Sequence, residues 1–307
     1  MPGTRAVGWL AGNAGHVGKL TAQEGTVKGE LRAMLPTIQI GENQVTRLIC
    51  GGNPISGISH FTEEMDQDMR CYYTMPRLQE LMAECWRQGI NTIQTRGDRF
   101  TMRMYLEHRL NGGQLQWIAQ TASEFADIFA NIDEIVAYEP IAVYHHGTHT
   151  DNSWHEGKID RVRDYLKAVH DHGLPAGIGT HIPEVVEYAE ENGWETDFYM
   201  CCFYNLARGY KSAPAVERGA YEQERYPDGD PDRMTAVMRQ LEKPCLGFKL
   251  MAANRKCGSP ESVRQAFEYA FANIKPTDGV VVGMFPKYGN QVEQNARFVR
   301  EICGATV

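Results

Sequence analysis

Residues 279–297 read GVVVGMFPKYGNQVEQNAR, and this short stretch contains one structural repeat of the chain. Positions 279–284 are apolar and rich in β-branched side chains, as in a strand covered on both faces. A polar loop punctuated by Pro and Gly follows, and an amphipathic helical pattern then runs over 291–302. The same succession recurs along the chain. Further strands are read at 46–53, 91–98, 115–121, 135–145, 176–180, 197–205 and 245–252. Helical patterns fall at 76–88, 159–172, 183–192, 231–241 and 260–273; the first places Leu78, Leu81, Met82, Cys85 and Trp86 on one face. Several open with Pro in the first turn, and two end in His-Gly or Asn-Gly, as helix starts and stops demand. Eight strands alternating with helices predict an α/β protein with a parallel sheet. At this length the expected closure is a single (β/α)8 TIM barrel over residues 34–307. An open doubly wound sheet is the alternative, weakened because no GxGxxG follows a strand.

Two regions break the alternation. Residues 1–33 are Gly-rich and weakly patterned, and are expected to form a tail or a small cap. Residues 206–230, LARGYKSAPAVERGAYEQERYPDGD, are too long for an ordinary connection and read as a lid or binding loop.

The chain has 307 residues, with 31 Lys+Arg against 39 Asp+Glu and a formal net charge of −8. An acidic chain without a basic block argues against nucleic acid or an anionic membrane as the main partner. No apolar run approaches the ~20 residues that span a bilayer. The opening MPGTRAVGWLAGNAGHVGKL has no apolar core of the signal-peptide kind. Eight cysteines without a CxxC spacing read as reduced thiols. The expectation is a cytoplasmic enzyme acting on a small polar molecule.

Barrel chemistry sits on the loops after the strand C-termini. Those ends carry Asn53, with His60 further along its loop; Gln94, Arg96 and Asp98 in QTRGDR; and Gln120. The fourth carries HHGTHTDNSWHEG, with His145, His146, His149, Asp151 and His155, and the fifth His181. Cys201, Cys202, Tyr204 and Asn205 follow, then Lys249, then Lys287. Imidazoles and carboxylates at neighbouring strand ends can bind Zn²⁺, Mn²⁺ or Fe²⁺ with a position left open, so His146, His149, His181 and Asp98 are candidate ligands. The competing reading has these histidines bonded to loop backbone. His145 and His146 point to opposite strand faces, so at most one meets the barrel axis. Asp98 is a ligand, a base, or the ion-pair partner of Arg96 or Arg99. Lys249 can form a Schiff base, move a proton or bind an anion. Cys201 and Cys202 read as core. Asn53, Gln94, Arg96, Gln120 and Asn205 suit a hydroxyl-rich substrate.

Several motifs resemble a known family. LPTIQIGENQVTRLICGG (35–52) is similar to the bottom-closing hairpin and first strand of the aldo/keto reductases. INTIQTRGDRF (90–100), IAVYHHG (141–147), GIGTHIPEVVEYAEENG (177–193), DFYMCCFYN (197–205), GFKLMAAN (247–254) and VVVGMFPKYGNQVEQNAR (280–297) follow in the family's order. The resemblance spans roughly residues 35–302 and implies an NADPH-dependent carbonyl-reducing barrel. It also exposes departures. Of the family's Asp, Tyr, Lys and His, the matching positions hold Gln94, Phe100, Ala119 or Gln120, and His146. Gly179, Thr180 and Cys201 replace the residues that hold the nicotinamide amide. Phe248 can still stack on that ring, Gln294 and Asn295 match the adenosine-side pair, and Lys287 can meet a phosphate.

Three readings follow. The first is a metal-assisted isomerase, lyase or hydrolase acting on a sugar-like carbonyl compound, with His146, His145, Asp98 and Lys249 as catalytic residues. The second is an atypical NAD(P)H-dependent reductase. The third is a non-catalytic relative that binds a nucleotide or a partner.

Overall fold

The computed structural model describes residues 31–208 and 224–304. Two short strands, β1 (Thr37–Ile40) and β2 (Asn43–Thr46), pair antiparallel about a turn at Gly41, whose φ of +55° suits glycine. Eight parallel strands then close into a barrel: β3 (Leu48–Gly51), β4 (Thr92–Arg96), β5 (Gln116–Gln120), β6 (Ala142–His145), β7 (Ala176–Thr180), β8 (Phe198–Cys202), β9 (Cys245–Phe248) and β10 (Gly279–Gly283). β10 pairs with both β9 and β3, which completes the ring and leaves the barrel sheet without an edge.

Around it stand α1 (Glu63–Tyr72), α2 (Met75–Arg87), α3 (Arg99–Leu110), α4 (Ile128–Val136), α5 (Gly147–His155), α6 (Val162–Asp171), α7 (Pro183–Glu191), α8 (Asp230–Gln240), α9 (Pro260–Asn273) and α10 (Gln291–Cys303). None of the described helices is long and apolar enough to cross a membrane. Strand alternation sorts the core into two layers. Ile49, Ile118, Tyr144, Phe198, Met200 and Leu246 fill the barrel interior. Side chains on the other faces, such as Ile93, Trp117, Val143 and Ile178, pack beneath the helices. The hairpin residues Ile38, Ile40 and Val45 join the interior layer and plug the N-terminal end. Hydrogen bonds from Thr46 N to Asn91 Oδ1 (2.9 Å) and from Gln116 Nε2 to Gln44 O (2.9 Å) tie the plug to the strands above it.

The structure corrects several sequence boundaries. The run 135–145 is not one strand: α4 occupies its first residues and β6 begins only at Ala142. Ile128, Ile132 and Ile135 recur at helical spacing, and the Asp127 side chain caps the helix by accepting from Phe129 N and Ala130 N. The strand read over 245–252 stops at Phe248, because Lys249, Ala252, Ala253 and Asn254 all take positive φ. Helices α1, α3 and α5 add elements that the sequence patterns did not separate from loops. Residues 1–30 and 209–223, which hold most of the expected tail and the centre of the long loop, lie outside the described residues.

Candidate active site

Lys249 is the first residue beyond β9, with φ +63°, and Ala252 N closes a turn on its carbonyl at 2.8 Å. Its side chain is 8% exposed, and its amino nitrogen has no hydrogen-bond partner among the described residues. A carboxylate oxygen of Glu224 (Oε2) stands 3.9 Å away. The other oxygen accepts a 2.7 Å hydrogen bond from Nδ1 of His60, on the loop after β3. The Tyr226 hydroxyl donates to Oε2. Arg255 stacks its guanidinium 4.1 Å from the Tyr226 ring centre and donates to the His60 carbonyl at 3.2 Å. Three loops, after β3, β8 and β9, are thereby clasped over one buried amine.

Burial dominates the electrostatics. It lowers the Lys249 pKa below the ordinary amine value, with the Glu224 charge pulling the other way. Burial, and then the charge of Lys249, also lower that of His60, which leaves a neutral ring donating from Nδ1. Burial alone would raise Glu224, but the His60 hydrogen bond, the Lys249 charge and the Tyr226 hydroxyl outweigh it and hold the carboxyl at about 2. Burial pushes the neighbouring Cys202 thiol up to about 12, so it stays protonated and poorly nucleophilic.

A second group lies across the mouth. Asp151, buried on α5, accepts from Thr180 Oγ1 at 2.5 Å and from His181 Nδ1 at 2.6 Å. This fixes the His181 tautomer and leaves Nε2 with its lone pair. The Phe248 ring meets His181 edge-on at 5.6 Å. His146, following β6, uses Nδ1 to accept from Thr148 N at 3.1 Å. Burial, then His149 and Arg96, lower its pKa well below that of a free imidazole, so it is neutral and carries its proton on Nε2. Helix α5 comes this close to β7 because position 179 is glycine. A Cβ on Gly179 would lie 3.1 Å from the Gly147 nitrogen and the His145 carbonyl.

No family model matches the chain, and no curated protein matches it in sequence. Among solved structures, the aldo-keto reductase AKR11C1 from Bacillus halodurans is similar with a TM-score of 0.53. The match covers 87% of this chain and 91% of that one at 11% identity. Gox0644 in its apo form is similar at 0.52, covering 87% and 93%, with 8% identity. The fold is that of the aldo/keto reductases. Within an aldo/keto reductase barrel, however, this chain lacks the expected hydride-transfer groups. Phe100 is 45% exposed in the first turn of α3 and offers no phenol. Gly179 has no side chain, Thr180 spends its hydroxyl on Asp151, and Cys201 packs in the layer beneath the helices.

Other expectations meet the geometry in different ways. His145 is not at the mouth: it ends β6 on the outward face and stacks on Tyr165 of α6 at 4.4 Å. Asp98 caps α3, accepting from Phe100 N and Thr101 N at 2.9 Å each. Among the described residues, no three His, Cys, Asp or Glu side chains converge as a metal-ligand group. His146, His149, His181 and Asp98 therefore do not converge as a ligand set, and the Asp98 carboxylate is engaged in capping α3. Gln94 lies in the barrel wall, 8% exposed. Arg96 pairs with Glu124 at the rim, and the Gln120 carbonyl accepts from Gly97 N at 2.6 Å. Asn53 is exposed and its carbonyl closes a turn with Ile58 N. Asn205 keeps a buried side-chain oxygen with no hydrogen-bond partner among the described residues and lines a small cavity with His181, Cys202 and Arg208. Lys287 is held by Asp68. Gln294 and Asn295 line a cavity of about 200 Å³ with Ser259 and Met251. Glu224, Tyr226 and Arg255 carried no motif; the one signal pointing to the first two was the excessive length of their loop.

Proposed function

We propose that this barrel is an enzyme that moves protons on a small polar carbonyl compound, in the manner of an isomerase or lyase. The observation that carries this is the buried Lys249 amine flanked by Glu224 and His60, at the barrel end where such sites are built. The groups have complementary duties. The Nε2–H of His146 is a neutral donor suited to a carbonyl oxygen. His181, oriented by Asp151, offers a lone pair to a proton on carbon. The Lys249–Glu224 pair passes protons between substrate and protein. The Asn205 oxygen, without a partner among the described residues, suits a substrate hydroxyl.

The test is deuterium exchange next to the carbonyl, followed by proton NMR in D2O, over a panel of hydroxyaldehydes, hydroxyketones and keto acids. The expected result is catalysed exchange on at least one hydroxycarbonyl. Lys249→Met should reduce it by about 100-fold or more, and Asp151→Asn by about tenfold, without unfolding. Exchange that survives both substitutions refutes the reading.

A second reading, nucleotide binding, is favoured by the cavity beside Gln294 and Asn295. The nicotinamide end does not fit hydride transfer, so this reading covers binding alone.

A further inference from the structure

We propose that Lys249 is a covalent nucleophile that forms an imine with an uncharged hydroxyaldehyde or hydroxyketone, with Glu224 as its proton shuttle. This rests on the reading of the site as acting on carbonyl compounds and deepens it. A proton-relay lysine needs only a partner, whereas an imine-forming lysine needs a free lone pair, a nearby acid/base and no competing nucleophile. Lys249 has the last two, and its lone pair is freed when Glu224 takes a proton. Its nitrogen makes no hydrogen bond among the described residues. The Glu224 oxygen at 3.9 Å lies beyond direct hydrogen bonding, so it does not tie up the nitrogen yet stands close enough to exchange a proton with it through a small movement. Cys202 beside it is a protonated thiol. Burial favours the neutral amine, and the Glu224 carboxylate offsets the positive charge of an iminium.

The step balances without an added reagent. The Lys249 ammonium gives one proton to Glu224, and the freed lone pair attacks the carbonyl carbon, forming the C–N bond. The carbonyl π pair moves to oxygen, which takes a proton from the nitrogen to give the carbinolamine. Glu224 returns its proton to that hydroxyl, which leaves as water while the nitrogen lone pair forms C=N. One ammonium and one carbonyl become one protonated imine and one water. His60, donating to the far oxygen of Glu224, positions the shuttle. The substrate class follows from the charges at hand. The carboxylate beside Lys249 repels a keto acid, and Arg255 is already committed to Tyr226 and to the His60 carbonyl.

The experiment is reductive trapping of the full chain with glycolaldehyde or pyruvate and sodium cyanoborohydride at neutral pH, read by intact mass and peptide mapping. The expected result is a single glycolaldehyde adduct on Lys249, formed about tenfold faster than on any other lysine, with pyruvate slower. The adduct should vanish in Lys249→Met, and its rate should fall in Glu224→Gln. Labelling spread evenly over the lysines of the wild-type chain overturns the proposal whether or not the variants fold, and faster trapping by pyruvate overturns the substrate class. Lysine-dependent deuterium exchange without trapping overturns the imine and spares the proton-transfer reading; loss of both removes both.

Discussion

A histidine buried against an aromatic ring, as His145 is against Tyr165, must shed its proton to fold. Burial, reinforced by His149 and Arg161, takes its pKa from 6.5 to about 3. The folded value lies below the unfolded one, so between those pH values the unfolded chain binds the extra proton. The contribution is whole above pH 6.5 and is lost as the pH falls through the folded value, a cost of about 4–5 kcal/mol. Glu224 acts in the same direction at lower pH, since its carboxyl is held at about 2 against 4.5. We expect the urea midpoint to fall steeply between pH 6.5 and 4. The slope should be visibly shallower in His145→Phe, which keeps the stack and cannot titrate. Equal slopes in the two proteins would show that the ring stays protonated when buried. Asp98 is a residue whose chemistry reads equally as ligand, base or ion-pair partner of Arg96 or Arg99, and the helix cap it forms was not among those readings. Only its bonds to Phe100 N and Thr101 N decide for the cap.

The helices take their places through a few close contacts at strand ends. Helix α4 sits over the end of β4 because residue 97 is glycine. A Cβ there would come within 2.2 Å of Ile135 Cδ1, and Asn131 Nδ2 donates to the Gly97 carbonyl at 2.9 Å. Gly97→Ala is expected to cost about 1–3 kcal/mol by overpacking. Ile135→Ala is expected to cost about 2–5 kcal/mol by leaving a cavity. Because the new methyl occupies part of that space, the double variant should fall short of the sum by about 1 kcal/mol or more in denaturant titration. Strict additivity would mean that α4 is seated by other contacts. The same contact explains why 135–145 reads as a strand: apolar residues of a helix end and of the next strand run together, with only Glu139 and Pro140 to separate them.

At the scale of the molecule, the barrel keeps the aldo/keto reductase architecture while the residues at its mouth differ. The cavity of about 200 Å³ beside Gln294 and Asn295 lies between β10 and the start of α10, and neither Lys249 nor Glu224 lines it. If it holds a nucleotide, NADPH should quench tryptophan fluorescence, and Asn295→Ala should weaken that quenching about tenfold or more. No carbonyl in the same mixture should oxidise the cofactor. A flat titration ends the nucleotide reading and leaves proton transfer at Lys249 standing, whereas carbonyl-dependent oxidation of NADPH would restore the reductase.

The alternation of strand and helix, the barrel closure and Lys249 at a strand end were all legible in the sequence. Each depends on periodicity and local order, and these are written residue by residue along the chain. The resemblance of 35–52 and 280–297 to one family pointed the same way. What the tertiary structure alone decided is which polar groups meet. His60 lies 164 residues before Glu224, Lys249 follows beyond the next helix and strand, and the three come together only because the barrel returns its loops to one rim. The opposite fates of the neighbours His145 and His146 turn on the face of β6 that each occupies and on the helix packed behind it. Side-chain chemistry names what a residue can do, but burial and partners select among those roles, and both are set by contacts between elements distant in the sequence.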